Sequence, residues 1–400
     1  MKKHLLKLLT VFSVIIFFNS CQDKPLDLFF ENQFPETDSN VIYIDGSLAV
    51  PILDSYFTLQ DFIPSTDSSL WAEVDQNNLV HLRMYFKDAV VLTADQIYPD
   101  YFVGGNDVVP ANTIIHRDSA SGTSDWNKLK VYQSALSGHL FFNDPRISFI
   151  FKNEIPIVTF FRLDSLRFLR PDNTILEENN IGTYTIDAPT QDGEVAVSKI
   201  TFTKQEIPSL ENLFAPIPKR ISVGITGGSH QDQSTPYAIH QDDKLSLDVD
   251  IDLPLIAHLN DLILGDTSNF TLPADTAREI TAITLKLIID NDFPVSGVGQ
   301  IIFIDSTGNE IMRVFDNPGW TFDAAQVDQQ GISTESVKSQ MIKTLTHEQV
   351  NLLRDKNVAK AIMTVRLNSP NSQNGFDVRI YGWYKIGVKL GVKIDYNLSH

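Results

Sequence analysis

Three aspartates at alternate positions are the clearest set of residues that could do chemistry. Asp248, Asp250 and Asp252 lie in a stretch that alternates between apolar and polar residues, so they share one face of a predicted strand. Successive carboxylates on such a face lie about 7 Å apart. Calcium prefers hard oxygen ligands of this kind, but one strand supplies too few of them. The aspartate row is therefore a weak calcium candidate, and a solvated strand face is the plainer alternative.

The other titratable residues form no known catalytic motif. His347-Glu348 has no second histidine at metal-binding spacing, and the sequence contains no Gly-x-Ser-x-Gly motif. A polar group near Gly227-Gly228 has the irregular spacing of a hairpin tip, with a metal loop as the alternative; it comprises His230, Asp232, His240, Asp242 and Asp243. We predict a protein without enzymatic activity, cofactor or bound metal. A hydrolase with an unrecognised carboxylate pair is the alternative, because such pairs are spatial and not sequential.

The only cysteine, Cys21, follows a typical secretory leader. Lys2 and Lys3 precede an apolar run of about 14 residues that ends at Phe18, whereas a bilayer span needs about 20. Ser20 then places a small residue directly before the cysteine. This arrangement resembles the lipobox of bacterial lipoproteins, in which the cysteine is acylated and becomes the mature N-terminus. The resemblance implies a signal peptide over 1–20 and acyl chains such as palmitate on Cys21, which would bind the membrane.

The charge of the chain limits its partners. The sequence has 32 basic and 50 acidic residues, and loss of the leader removes three lysines, which leaves a formal charge of −21. Such a surface repels nucleic acid, so we predict no nucleic-acid partner. Residues 21–40 hold five acidic side chains against one lysine, together with Pro25 and Pro35, and are predicted to form an acidic tether.

After residue 40 the dominant period is two, which predicts half-buried strands. Leu70–Asp75 and Leu79–Lys87 flank a turn and predict a hairpin. Thr346 with Gln349 forms a capping box that predicts a short helix, and a second helix is expected over Ser336–Leu345. Short strands separated by turns favour β-sandwiches, so we predict a mostly β protein with one or two short helices.

Two stretches of this alternation occur twice in the same order. The strand ending in Asn153-x-apolar-Pro matches one ending in Asn291-x-apolar-Pro at an offset of 138 residues. The aspartate strand matches the strand Ile386–Ile394 at an offset of 141. This spacing indicates a duplicated module of about 140 residues, with chance similarity as the alternative. The predicted domains are an N-terminal β module over 41–125 and two tandem β-sandwich-like repeats over 126–256 and 257–400.

The two matched strands carry opposite charges. Lys389 and Lys393 flank Gly391 at the positions that correspond to the three aspartates. If the strands were neighbours in one sheet, these charges would pair across the ladder and contribute about 0.2–1 kcal/mol per pair.

Aromatic residues beside loops are the candidates for a binding site. Tyr98, Tyr101 and Phe102 lie near a Gly-Gly turn, and Trp383-Tyr384 precede the C-terminal strand. Adjacent residues of a strand face opposite ways, so at most one of the last two is core. Exposed rings stack on sugars or anchor protein partners, whereas most aromatics in a sandwich fill the core. The candidates are Tyr98, Tyr101, Phe102 and Trp383.

A family resemblance adds an expected location. The residues Ser47-Leu48-Ala49-Val50-Pro51-Ile52, the two Asn-x-apolar-Pro strands and the ending Gly387–Tyr396 resemble an uncharacterised family of Bacteroidota surface or periplasmic lipoproteins. The resemblance implies an outer-membrane location on either side and no particular activity. We predict a lipid-anchored accessory or scaffold protein that acts through an outer-membrane protein partner. A glycan-binding surface lipoprotein of a polysaccharide-uptake system is the alternative, besides the hydrolase.

Overall fold

The structure is a computed structural model that describes residues 43–59, 70–129, 135–215, 218–229, 231–270 and 280–399. Strands dominate these residues and helices are few and short, which confirms the predicted mostly β fold. The strands are β1 (Tyr43–Phe57), β2 (Leu70–Val74), β3 (Val80–Thr93), β4 (Val108–Val109), β5 (Ile114–Ile115), β6 (Ser119–Thr123), β7 (Asn127–Lys128), β8 (Ala135–Phe142), β9 (Arg146–Asn153), β10 (Thr159–Leu169), β11 (Ile175–Ile186), β12 (Ala196–Phe202), β13 (Arg220–Gly228), β14 (Gln233–Ser234), β15 (Ile239–His240), β16 (Lys244–Pro254), β17 (Ile256–Asn269), β18 (Ile280–Asn291), β19 (Ser296–Ile304), β20 (Glu310–Arg313), β21 (Trp320–Phe322), β22 (Gln326–Val327), β23 (Ser333–Glu335), β24 (Val337–Thr346), β25 (Lys360–Asn368), β26 (Val378–Arg379) and β27 (Ile386–Ser399). The α-helices are α1 (Ala94–Ile97), α2 (Leu210–Phe214) and α3 (His347–Asp355), and short 3-10 turns cover Pro99–Tyr101, Val103–Gly105 and Ser372–Asn374.

The described chain divides into two compact units. Unit 1 holds β1, residues 135–137 and the chain from His258 onward. Unit 2 holds the described residues from Leu70 to Leu129 and from Gly138 to Ala257. Unit 2 is therefore inserted in the sequence between β1 and the rest of unit 1.

Unit 2 is a sandwich of two antiparallel sheets. One sheet has the strand order β12-β9-β16-β3-β2, and the other has the order β11-β10-β13-β6 with β7 beside β13. Phe151 of β9 and Phe161 of β10 meet between the sheets, with ring centroids 4.3 Å apart. Alternation along β9 buries Ile147, Phe149 and Phe151 on this inner face.

Unit 1 repeats the two-sheet design. Its first sheet has the order β1-β27-β18-β24, and its second has the order β20-β19-β25-β17-β26, with β21 beside β19 and β8 beside β17. Leu287 and Ile289 of β18 pack in one core with Ile301 and Phe303 of β19.

The two units share strand order and register, as a duplication predicts. Asn153 of β9 lies opposite Ala196 of β12 and Leu245 of β16. Asn291 of β18 lies opposite Val337 of β24 and Ile386 of β27, at the offsets seen in the sequence. Strands β12, β9, β16 and β3 of unit 2 thus correspond to β24, β18, β27 and β1 of unit 1.

The structure groups the early strands differently from the predicted modules. Strand β1 pairs with β27, whereas β2 and β3 join the sheet of β16, so residues 41–125 do not form a separate module. The predicted boundary at 125/126 falls inside unit 2, and the one at 256/257 lies beside the division at Ala257. Alternation reveals which face of a strand is buried but not which distant strand it pairs with.

The helix predictions divide in the same way. Helix α3 begins at Thr346 with the predicted capping box, and it buries Val350 and Leu353. The hairpin of β2 and β3 also forms. The helix expected over Ser336–Leu345 is wrong, because these residues lie in or beside strand β24, whose exposure alternates with a period of two.

Candidate functional sites: an aspartate row and two loop clusters

The aspartate row lies on the outer face of the first sheet of unit 2. Strand β16 is central in that sheet, between β3 and β9. Its apolar residues face the core, which turns Asp248, Asp250 and Asp252 toward the other side. The predicted solvated face is wrong for two of the three, since Asp248 is 0% and Asp250 7% exposed.

Asp248 is held by three groups from the neighbouring strands. Its carboxylate accepts hydrogen bonds from the Tyr85 hydroxyl and from the backbone N–H of Asp88 (2.8 Å), and it forms an ion pair with Lys152 (2.5 Å). Burial alone would raise its pKa, but these interactions outweigh that effect and leave the pKa below the ordinary value. Burial and the hydrogen bond to Asp248 raise the pKa of Tyr85.

Asp250 and Asp252 are paired with cationic groups as well. The Asp250 carboxylate accepts a hydrogen bond from Arg83 at 2.6 Å, and Lys199 lies 3.8 Å away. The Asp252 carboxylate lies 2.7 Å from Nδ1 of His81. Asp250 Oδ1, Arg83 Nε and His81 Nε2 are buried and have no hydrogen-bond partner within the described part of the chain.

These pairings decide what the row can do chemically. Each carboxylate is already neutralised by a neighbouring cation, so little negative charge is left to hold calcium. Within the described ranges, no group of three or more acidic, histidine or cysteine side chains has a metal-binding arrangement. The predicted pairing with Lys389 and Lys393 is also wrong, because β16 and β27 belong to different sheets. The row is a structural charge network of unit 2.

The Asn-x-apolar-Pro sequences build a loop cluster at one end of each sandwich. In unit 2, the Asn153 side chain donates to the carbonyls of Ile157 and Asp187 and accepts from the N–H of Ile155. In unit 1, the Asn291 side chain makes the same three bonds, with Val295, Asp323 and Phe293. We call residues 154–158, 187–195 and 235–243 the loop cluster of unit 2.

Residues 292–295, 323–332 and 380–385 form the corresponding loop cluster of unit 1. In each unit, a backbone N–H of the first loop donates to the lysine before the C-terminal strand. Glu154 bonds Lys244 in unit 2 and Asp292 bonds Lys385 in unit 1, both at 2.9 Å. Loops held together in this way by a rigid sandwich are typical places for binding sites.

The loop cluster of unit 1 carries an exposed aromatic pair. Tyr381 and Trp383 stack with ring centroids 4.5 Å apart and an interplanar angle of 7°. Trp383 is 51% exposed. The neighbouring Tyr384 is buried, packs edge-on against Phe293 and accepts a hydrogen bond from the N–H of Ser333 (2.8 Å). The core residue Tyr384 thus fixes the turn that presents Trp383.

The loop cluster of unit 2 has a different chemistry at the same place. It encloses an open cleft of about 440 Å³, whose lining includes Glu154, Asp192, Glu194, Asp243 and Tyr237. His240 and Asp243 stand where unit 1 has Tyr381 and Tyr384. Burial raises the pKa of Asp243. The two copies of the loop cluster have therefore diverged, to an aromatic surface in unit 1 and an acidic cleft in unit 2.

The other predicted binding aromatics are packing residues. Tyr98 is 0% exposed, so its ring has no surface to offer a partner, and its assignment to a binding site is wrong. Tyr101 and Phe102 are half-buried. The Tyr101 hydroxyl donates to the carbonyl of Ile114 and accepts from the N–H of His116, which ties this loop down. Of the four candidates, Trp383 alone is exposed.

The predicted histidine and aspartate group near Gly227-Gly228 does not converge as described. His230 lies outside the described residues. Asp232 is exposed and bonds the side chain of His116 (3.0 Å), whereas Asp243 accepts from the N–H of His240 (2.7 Å). The side chains are occupied in separate loop contacts, as a hairpin tip predicts.

Sequence reasoning missed Tyr381. Its signal was present, because Tyr381 and Trp383 are two residues apart and such residues share a face where the chain is extended. Cys21 and the tether over 21–40 lie outside the described residues. Within the part of the chain that the structure describes, no helix is long and apolar enough to cross a membrane.

Comparison with known proteins gives no family. No protein-family model and no curated protein matches the chain. Among solved structures, it is similar to a Parabacteroides distasonis protein described as secreted, with 12% identity, a TM-score of 0.36, and coverage of 87% of this chain and 99% of that one. It is also similar to discoidin II of Dictyostelium discoideum, with 11% identity, a TM-score of 0.18, and coverage of 76% and 100%.

A third similar structure is the tandem CBM22 domain of Paenibacillus barcinonensis Xyn10C, with 7% identity and a TM-score of 0.17 over 86% of this chain and 98% of that one. At such low TM-scores these likenesses carry no argument about function.

Proposed function

We propose that this protein is a lipid-anchored, non-enzymatic accessory protein of the outer membrane that binds a protein partner through the loop cluster of unit 1. The observation that carries the proposal is the stacked pair of Tyr381 and Trp383. A large aromatic side chain that is half exposed on a rigid turn is the type of residue that dominates binding energy at protein interfaces.

The charge network supports a binding role over catalysis. A general acid or base needs a proton that it can transfer to a substrate, in reach of the reacting atom. The carboxylates of Asp248, Asp250 and Asp252 are held by cations or a hydroxyl on the same sheet. They therefore serve the fold and not a substrate.

The membrane anchor rests on the leader and Cys21. Acylation of this cysteine would hold the acidic body at the membrane surface despite its repulsion of anionic headgroups. Mass spectrometry of the native protein tests the anchor. The expected result is a mature N-terminus at residue 21 whose mass includes acyl chains. An unprocessed start with a free thiol would rule the anchor out.

The partner site is tested by substituting Trp383. We expect Trp383→Ala to weaken capture of a cross-linked outer-membrane partner at least about tenfold, since loss of a central aromatic costs 2 kcal/mol or more. Tyr56→Ala is the matched control, because Tyr56 is also an exposed aromatic of unit 1, at 61%, but lies outside the loop cluster. Equal capture by both variants would contradict the site.

A glycan ligand is the second candidate, because the free face of the Trp383 ring is flat and accessible enough to stack on a sugar. Screening the purified protein on a glycan array separates the two. Retention of a glycan by the wild type and by Tyr56→Ala but not by Trp383→Ala would replace the protein partner with a saccharide.

A further inference from the structure

The first sheets of the two units differ at one edge. In unit 2, β3 is covered by β2, whereas in unit 1 the corresponding strand β1 is the last strand of its sheet among the described residues. We propose that the outer edge of β1 receives an added antiparallel strand, supplied by residues 26–34 of the same chain. These residues lie outside the described part of the chain and precede β1 directly.

The register supports the equivalence of β1 and β3. Phe57 lies opposite Ile386, as Leu92 lies opposite Leu245 in unit 2. Both pairs of strands also contain a register shift in the same region, between Pro51 and Leu53 in β1·β27 and between Leu247 and Val249 in β16·β3. The edge that accepts β2 in unit 2 therefore has a counterpart in unit 1.

An uncovered edge of this length is unfavourable. Strand β1 has 15 residues, and an edge strand exposes a row of N–H and C=O groups that another strand can pair with. Proline interrupts such pairing, but Pro51 lies at the register shift, where proline is tolerated. Pairing by a donor strand would satisfy these groups in the manner seen for β2 and β3, from Leu70 opposite Met84 to Val74 opposite Val80.

The connection of the hairpin identifies the donor. Strand β2 immediately precedes β3 through a short turn, so the donor for β1 should immediately precede β1. Leu26, Leu28 and Phe30 alternate with Asp27, Phe29 and Glu31. The run 35–40, Pro-Glu-Thr-Asp-Ser-Asn, is rich in turn-forming residues. Nine residues of strand extend about 30 Å, enough to pair with most of β1.

This docking changes the interpretation of residues 21–40 as a tether. Only residues 22–25 would remain between Cys21 and the sheet of unit 1. The docking itself requires no acylation, but together with the proposed anchor it would keep unit 1 next to the lipid surface.

Hydrogen–deuterium exchange with residue-level fragmentation tests the proposal on the mature full-length chain. In the wild type we expect slow exchange at the amides of both edges of β1. Leu28→Pro removes a donor N–H and disfavours the strand, so the outward amides of residues 44–57 should exchange about tenfold faster or more. Lys24→Pro, which lies outside the donor segment, is the matched control and should change nothing. Strand β3 of unit 2 serves as the internal reference for folding.

Three results would overturn the proposal. The first is rapid exchange of the outward amides in the wild type, which requires no variant to fold. The second is equal exchange in the wild type and Leu28→Pro. The third is protection that disappears on dilution, which would mean that a second copy of the chain supplies the strand.

Discussion

At the residue scale, Asp248 and Asn153 hold unit 2 in its register by opposite means. Asp248 is a buried charge that is matched by a cation and two hydrogen-bond donors. Asn153 is a buried neutral amide whose three bonds close the turn after its strand. A buried polar group without partners costs free energy, so both residues select the strand arrangement that satisfies them.

Asp248→Asn should lower the free energy of unfolding by about 3 kcal/mol at neutral pH, because it leaves Lys152 without its counter-charge in a largely buried place. Urea denaturation followed by fluorescence measures the change. Asp125→Asn is the control, since Asp125 is exposed in a loop and its effect should be small.

The effect of Asp248 should depend on pH. Its folded-state pKa is below the ordinary value of 3.8, so its stabilising contribution is present above that value and is lost as the pH falls through the folded pKa. The stability difference between wild type and Asp248→Asn should therefore be constant near neutrality and shrink below about pH 4. A difference that shrank between about pH 8 and 6 would contradict this assignment.

Asn153→Ala and Asn291→Ala form a matched pair, since both side chains are buried and make equivalent bonds. Each substitution should cost about 2–3 kcal/mol, because three hydrogen bonds are lost and carbonyls are left unsatisfied. Hydrogen exchange should locate the two effects in different units, at β9 and β12 for Asn153→Ala and at β18 and β24 for Asn291→Ala. Similar exchange maps for the two variants would refute the duplicated role.

At the element scale, the same loops carry different surfaces in the two units. The backbone bonds of Glu154 and Asp292 keep the loop frame, while the side chains on it have changed from acidic to aromatic. A duplicated frame tolerates such change because its stability depends on the buried asparagine and backbone and not on the exposed side chains. The loop cluster is therefore the element in which the two copies can acquire different partners.

At the scale of the whole molecule, the insertion of unit 2 makes unit 1 discontinuous in sequence. Strand β1 supplies Phe57 to the core of unit 1, although almost all of unit 2 separates it from the other strands. Unit 2, by contrast, takes both of its sheets from one stretch of chain. The units should therefore differ in their ability to fold as fragments.

A fragment of residues 65–257 should fold alone, whereas residues 258–400 should not, because the latter lack β1 and leave an edge of β27 and part of the core uncovered. Circular dichroism melts of the two fragments measure this. Fusing residues 40–59 to the start of 258–400 through a flexible linker is the control and should restore a cooperative transition. Cooperative unfolding of 258–400 alone would show that β1 is dispensable.

The sequence by itself determined what depends on local spacing. Alternation identified the strands and the mostly β class, and the capping box located α3. The repeated Asn-x-apolar-Pro pattern indicated a duplication whose strand order and register appear in both units. Burial of one of the adjacent residues Trp383 and Tyr384 followed from strand geometry.

Only the tertiary structure decided which distant residues meet. The assignment of β1 to unit 1, the burial of Tyr98 and the neutralisation of the aspartate row all depend on such contacts. Asp248 bonds Tyr85 across 163 positions of sequence, and no local pattern specifies that partner. A period of two states which face of a strand is apolar, whereas the packing of the whole chain selects the neighbouring strand and hence the chemistry of the opposite face.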